Sequence, residues 1–203
     1  MTEIRHIVFD IGKVLIHYDP EIPFSRLIPN HDERRWFFNN VCTSAWNIEQ
    51  DRGRAWNEAE ALLIAEHPGH EENIRNFRRC WHEMVPHAYE DSVALLHRLI
   101  DAGYDVTLLT NWAADTFIEA RSRFPFLERP RGITVSGVVK AIKPERAIYD
   151  HHVASFGIEP QAALFIDDSQ KNVDAAREAG WHAVLFTNAK TLEDDLERFG
   201  IAS

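Results

Sequence analysis

Four short groups of polar residues carry the chemistry of this chain. Asp10 closes an apolar run, Val8-Phe9-Asp10-Ile11-Gly12-Lys13, and Thr110-Asn111 closes another, Leu108-Leu109-Thr110-Asn111. Lys143-Pro144 follows, and Asp167-Asp168 ends Phe165-Ile166-Asp167-Asp168, with Asn172 just after. Each group alone has an ordinary structural explanation. An Asp after a strand caps a helix, a Thr-Asn pair makes a turn, and a Lys before Pro is usually solvated. Adjacent carboxylates are different, because they repel unless a cation or water neutralises them. Read together, the four groups have one chemistry. Asp10, Asp167 and Asp168 offer hard oxygen ligands of the kind Mg²⁺ takes together with substrate phosphate oxygens. The Thr110 hydroxyl and nearby backbone N–H groups can hold phosphate oxygens, and Lys143 offers a point charge to the same anion and to Asp10. Asp10 is then placed to attack phosphorus and form an aspartyl-phosphate, with Mg²⁺ and Lys143 stabilising charge on the transferring group.

Such a set must be gathered by a scaffold, and the apolar patterning supplies one. Residues 4–9, 105–110, 163–166 and 182–186 are brief, largely apolar and bounded by Gly, Asp or Asn, as buried strands are; 133–135 is a fifth, weaker segment. Between them run helical stripes with clear stops. Val93, Leu96, Leu99 and Ile100 precede Gly103; a helix with Pro144 in its first turn closes near Gly157; one from about Lys171 ends at Gly180; Leu192, Leu196 and Phe199 precede Gly200. Strands alternating with helices predict an α/β fold, a doubly wound parallel sheet covered on both faces. In such sheets ligands bind beyond the carboxyl ends of the strands, which is where all four polar groups fall.

Residues 20–86 break the alternation. They contain no strand pattern, only helical stripes such as Ala55, Ala59, Leu62 and Leu63, and Ile74, Phe77, Trp81 and Met84. Four of the six tryptophans, Trp36, Trp46, Trp56 and Trp81, lie here and read mainly as core and seam packing. The expected organisation is a Rossmann-like core from 1–18 and 87–203 with a helical lid at 19–86.

Composition bounds the function. The 203 residues are 45% hydrophobic and 27% charged, which excludes disordered and low-complexity classes. A net charge of −10 without a basic tract argues against nucleic acid or anionic membrane as partner. Cys42 and Cys80 show no metal-ligand spacing and read as buried thiols of a reducing compartment. No apolar run approaches a bilayer span and the start of the chain has no signal-peptide pattern, so the expectation is a cytoplasmic protein, monomer or homodimer. Eleven histidines invite a metal reading, but Pro68-Gly69 separates His67 from His70, and His151-His152 point to different sides of a helix, so these read as surface or packing residues.

The order Asp10, Thr110, Lys143, Asp167-Asp168 resembles the four motifs of the haloacid dehalogenase (HAD) superfamily, across residues 4–190. The stretch 143–149, Lys-Pro-Glu-Arg-Ala-Ile-Tyr, looks like its third motif and 165–175 like its fourth. An insertion straight after the first motif is similar to the family's helical C1 cap. The resemblance implies Asp10 as nucleophile and metal ligand, Thr110 as phosphate-binding hydroxyl, Lys143 as charge partner, Asp168 as direct metal ligand and Asp167 as a ligand through water. It implies a metal contact from the Gly12 carbonyl, and Lys13, Asn111, Asp51 and Arg52 as substrate ligands. The expected cofactor is Mg²⁺ and the expected partner a small-molecule phosphate ester.

Gly12 departs from the pattern. Most phosphatases of the superfamily carry a second Asp there as general acid and base, help worth about 10²–10⁴-fold. Three readings follow. In the first, the chain is a phosphatase whose proton comes from elsewhere: His17, Asp19, or a cap residue around Gln50-Asp51-Arg52-Gly53. Its first motif resembles a branch acting on α-glucose 1-phosphate and similar sugar phosphates, whose anomeric oxygen leaves more easily than an ordinary alcohol. The second is a 2-haloacid dehalogenase, which also lacks that Asp but needs no metal and carries Ser-Ser-x-Asn where this chain has Asp167-Asp168. The third is a phosphometabolite-binding protein without turnover.

Overall fold

The computed structural model describes residues 3–201; residues 1, 2, 202 and 203 of the expected core lie outside it. In chain order the elements are β1 (His6–Phe9), α1 (Glu21–Leu27), α2 (His31–Asn40), α3 (Ser44–Asp51), α4 (Trp56–Glu66), α5 (Glu71–Arg79), α6 (Trp81–Met84) and α7 (Glu90–Asp101). Then come β2 (Asp105–Thr110), α8 (Ala114–Arg123), β3 (Ile133–Val135), α9 (Ser136–Val139) and α10 (Arg146–Phe156). The chain closes with β4 (Ala163–Asp167), α11 (Gln170–Glu178), β5 (His182–Leu185) and α12 (Ala189–Arg198).

The five strands form one parallel sheet in the order β3-β2-β1-β4-β5. Side chains alternate across it: Ile7 and Phe9 pack with Leu96, Leu99 and Leu108 on one face, Val8 with Leu109, Tyr149 and Phe165 on the other. Both faces are therefore buried, as the near-continuous apolar strands require. The register sets Phe9 opposite Leu108 on one side and Ile166 on the other. Asp10, one residue on, thus emerges between the ends of β2 and β4. The strand order reverses at β1–β4, where an open sheet leaves its crevice.

Helices α1–α6 enclose an apolar cluster of their own, with Phe24, Phe37, Ile74, Phe77 and Met84 at its centre. Local chemistry starts them: Asn30 accepts the Asp32 and Glu33 N–H groups at the head of α2, and Thr43 accepts that of Trp46 at the head of α3.

Several sequence expectations shift. Pro144 lies two residues before α10, whose N-cap is Glu145, instead of in its first turn. The stripe from Ile74 to Met84 is broken at Cys80, where one helix ends and the next begins. Leu62 is exposed, because only Ala59 and Leu63 of its stripe turn inward. Cys42 is buried but Cys80 only half-buried. Phe186 lies just past β5, although its N–H still reaches the Asp167 carbonyl at 2.8 Å. His152 is no surface residue: it is fully buried, with ring nitrogens 2.9 Å from the Thr107 hydroxyl and 2.8 Å from that of Thr134, so it joins α10 to β2 and β3. Burial lowers its pKa to about 3. Among the described residues no helix is long and apolar enough to cross a membrane.

Candidate active site

The ends of β1, β2 and β4 converge on one ammonium group. Lys143 Nζ lies 2.8 Å from Asp10 Oδ1, 2.7 Å from Asp167 Oδ2 and 3.0 Å from the Leu109 carbonyl, with the side chain 1% exposed. It sits 5.4 Å from the centre of the Phe165 ring. Its three protons thus have three acceptors, which is what makes burial of a lysine tolerable. Burial works to lower the Lys143 pKa, and Asp10 and Asp167 overcome it, so the ammonium stays above its ordinary value. Burial pushes the Asp10 carboxyl up and Lys143 pulls it back; burial is the larger effect, and Asp167 adds to it.

The lysine backbone is held as firmly as its head. Asn111 Oδ1 accepts the Lys143 N–H at 2.8 Å, while Asn111 Nδ2 donates to the Lys143 carbonyl at 2.9 Å. Asp167 is wholly buried, taking the Ser169 N–H at 2.8 Å and the Asn172 amide at 3.0 and 3.1 Å besides Lys143. Asp168 is exposed towards the site; partial burial raises its pKa, Asp167 adds to this, and Lys13 and Lys143 oppose it.

Ligand oxygens of Asp10, Asp167 and Asp168 lie within 4.8 Å of one another. Three carboxylates against one buried ammonium leave an excess of negative charge, and an all-oxygen donor set of this size fits a hard divalent cation such as Mg²⁺. Thr110 is buried at the end of β2, and its Oγ1 has no hydrogen-bond partner. A buried hydroxyl left so costs about 1–3 kcal/mol.

A cavity of about 250 Å³ opens above these groups, lined by Asp10, Gly12, Lys13, Asn111, Lys143 and Asp168 from the strand ends. Tyr18, Asn47, Asp51, Trp56 and Trp81 close it from the segment before α7, with Trp112, Thr116 and Asn172 completing the wall. A second cavity of about 690 Å³ shares Lys13, Tyr18, Asn47 and Asp51 with the first. Of the site residues expected from the sequence, three do not line this cavity: Thr110, the fully buried Asp167, and Arg52. Arg52 turns away, its guanidinium 2.7 Å from Glu145 and 3.7 Å from Glu49, so it forms a surface ion pair in place of a substrate contact.

Sequence reasoning missed most of the aromatic and amide wall. Trp56 and Trp81 read as packing residues, and nothing in the local pattern marks Tyr18 or Asn47. Trp112 had one signal, its place two residues after Thr110.

A lysine and three carboxylates gathered at the switch point of a parallel sheet define an α/β protein with a charged site at its strand ends. Residues 50–186 match the model of the haloacid dehalogenase-like hydrolases, and the chain belongs to that family. Asp10 precedes the matched segment. Flavin mononucleotide hydrolase 1 of Arabidopsis thaliana, a chloroplast protein, is 41% identical over 59 residues, 29% of this chain and 24% of that one, so the match spans about a quarter of that relative. Among solved structures, a HAD family enzyme from Bacteroides thetaiotaomicron superposes with a TM-score of 0.75 at 22% identity, covering 96% of this chain and 99% of the other. That enzyme has also been crystallised with magnesium and inorganic phosphate. The L-2-haloacid dehalogenase of Xanthobacter autotrophicus gives a TM-score of 0.64 at 16% identity, over 98% and 85% of the two chains, in a form with chloropropionic acid covalently bound. At these identities the likeness is one of fold.

Proposed function

We propose that this protein is a Mg²⁺-dependent phosphatase that hydrolyses a small phosphate monoester through an aspartyl-phosphate at Asp10. The observation that carries the reading is the placement of Asp10 and Lys143 beside the Asp167-Asp168 pair on one cavity. Asp10 attacks phosphorus, and the ester oxygen leaves with its bonding electrons. Lys143 sits against the Asp10 carboxylate, favouring its charged, attacking form and facing the charge that develops on the phosphoryl oxygens. The unpartnered Thr110 hydroxyl is read as a phosphate donor. Asp10, Asp168 and the Gly12 carbonyl are the residues that would hold the metal, with Asp167 behind them. Magnesium, when bound, supplies a Lewis acid and charge neutralisation to the transferring group.

Residues 19–86 serve in this reading as a cap over a core of 1–18 and 87–203, excluding water and selecting the organic part of the substrate. The cavity of about 250 Å³ fits a sugar-sized leaving group, and the adjoining cavity of about 690 Å³ gives room for a larger one. Both a sugar phosphate and the flavin nucleotide of the Arabidopsis relative's name are phosphate monoesters. The dehalogenase likeness supports a competing reading, in which Asp10 displaces halide from carbon. Against it, the cluster of Asp10, Asp167 and Asp168 would surround a carboxylate substrate with negative charge in the absence of a cation.

The test is phosphate release from a panel of sugar phosphates, flavin mononucleotide and p-nitrophenyl phosphate, in Mg²⁺ or EDTA, with Asp10→Asn as control. Release that needs both Mg²⁺ and Asp10 is expected. Halide release from 2-haloacids with no phosphate release would overturn the proposal.

A further inference from the structure

Gly12 leaves the site without a carboxyl next to Asp10, yet the ester oxygen of an ordinary alcohol or phenol needs a proton as it departs. The sequence leaves His17, Asp19 and the loop 50–53 open as sources, and their placement separates them. His17 Nδ1 is 2.8 Å from the Tyr89 hydroxyl, its ring stacks on His87 at 5.1 Å, and it lines the second cavity but not the first. Asp19 accepts the Glu21 N–H at 2.8 Å and also lines only the second of the two. Gln50 is buried between the Trp46 carbonyl and Arg54. Arg52 is paired with Glu145.

Asp51 is what remains. Three carboxylic residues line the 250 Å³ cavity, and Asp10 and Asp168 belong to the cluster around Lys143 and the metal position. Asp51 is the third, contributed by the C-terminal end of α3. Resting on the phosphatase reading above, we infer that Asp51 is the general acid and base of this site, doing from the cap what a side chain at position 12 cannot do.

Its placement suits the role. The Asp51 carbonyl accepts the Ser136 hydroxyl at 2.6 Å, and Ser136 Oγ in turn accepts the Trp112 N–H at 2.9 Å. Ser136 is fully buried at the end of β3, so the cap residue is tied to the turn that follows Thr110. The next turn is fixed as well. Gly53 has φ +103°, its carbonyl accepts Lys140 Nζ at 3.1 Å, and a Cβ there would collide with the Lys140 side chain. Burial raises the Asp51 carboxyl to about 7, against the pull of the Ala113 backbone N–H, so near neutrality it can both give and take a proton.

The steps balance. As the Asp10 oxygen bonds to phosphorus and the P–O ester bond breaks, the leaving oxygen takes the Asp51 proton. Asp51, now a carboxylate, then accepts a proton from the water that attacks the aspartyl-phosphate. The bond between phosphorus and Asp10 breaks, phosphate leaves, and both carboxyl groups return to their starting states.

The readout is kcat/KM, which reports the first step, over aryl phosphates of similar shape from 2,4-dinitrophenyl phosphate through p-nitrophenyl phosphate to phenyl phosphate. Asp51→Asn should lose about 10²–10⁴-fold on phenyl phosphate, where protonation matters most, and less than about tenfold on the dinitrophenyl ester. Asp51→Ser is carried alongside, and the slope is read from the variant whose thermal midpoint matches wild type. An equal loss on every ester, or none on any, would overturn the inference and leave Asp51 as a binding residue. Asp10→Asn separates this from the reading it rests on: if that variant keeps wild-type turnover, the aspartyl-phosphate itself is wrong, whatever Asp51 does.

Discussion

Replacing Lys143 by Met removes the cation between Asp10 and Asp167 while keeping a stem of similar length. The wild-type ammonium offsets two carboxylates that are 10% and 0% exposed. Breaking a buried pair from one side costs about 3–5 kcal/mol, because the partner left behind is a buried, unpaired charge. The Leu109 carbonyl also loses a donor, a smaller cost of about 1 kcal/mol that does not depend on pH. The larger part does depend on it. Burial already raises the Asp10 carboxyl with Lys143 in place, and without the ammonium it rises further. For an acid whose folded pKa lies above its unfolded value of about 3.9, the folded state penalises the charged form. Wild type carries the same penalty up to its own folded value of about 7, so the variant's extra deficit from Asp10 opens only above that pH. Urea denaturation in EDTA, wild type against variant, should give a gap of about 3–5 kcal/mol near pH 9 that narrows to about 1–2 near pH 5–6. In an Asp10→Asn background the same change should cost less, since the two residues share one interaction. A gap below about 1 kcal/mol, or one equal at both pH values, would refute the account of Lys143 as the counter-charge of a buried cluster.

Two further outcomes follow from single residues. Gly12 lies outside the left-handed region and a Cβ there meets nothing within 4 Å, so Gly12→Asp is sterically open. It should raise kcat/KM on poor leaving groups in wild type and recover at least about tenfold in the Asp51→Asn variant; no gain in either background would place the proton path elsewhere. His152 is held neutral by burial with its pKa lowered from 6.5 to about 3, so its contribution is complete above about pH 6.5 and is lost as pH falls towards 3. By about pH 4.5 this should cost wild type roughly 2–3 kcal/mol relative to His152→Gln, and parallel urea midpoints for the two proteins across that range would contradict it.

What the sequence revealed divides by the range of the interaction. The strands were legible because burial on both faces makes them continuous apolar runs, and residues 105–110 and 133–135 appear with the expected bounds. Asp10, Asp167 and Asp168 were legible because a parallel sheet gathers its strand ends on one edge, wherever those ends lie in the chain, whereas Lys143, between α9 and α10, was marked only by its place before Pro144. The order of the strands was not, since alternation fixes the fold class but not which strand pairs with which. The cavity wall was hidden for a related reason. Tyr18, Asn47 and Trp56 acquire a role only when the helical insertion lies over the sheet, and an aromatic at helical spacing looks the same in a core as on a cavity wall. Arg52 could not be placed from sequence because a long exposed side chain pairs with whatever carboxylate the fold brings near, here Glu145. The reciprocal bond between Asn111 and Lys143 had no local signature at all, although both residues had been singled out separately.

That reciprocal bond bears on timing. A lysine on a solvated loop samples many rotamers, and fixing its stem costs on the order of 2 kcal/mol each time it is needed. The Asn111 amide meets the Lys143 main chain as a peptide unit would, while Asp10, Asp167 and the Leu109 carbonyl hold the far end of the side chain. A stem anchored at both ends has nowhere to swing. Its orientational freedom is surrendered once, when the chain folds, and is not surrendered again in each catalytic cycle. In the proposed reaction the positive charge stands in place before the phosphoryl group arrives, so the electrostatic field at Asp10 needs little reorganisation while bonds are exchanged.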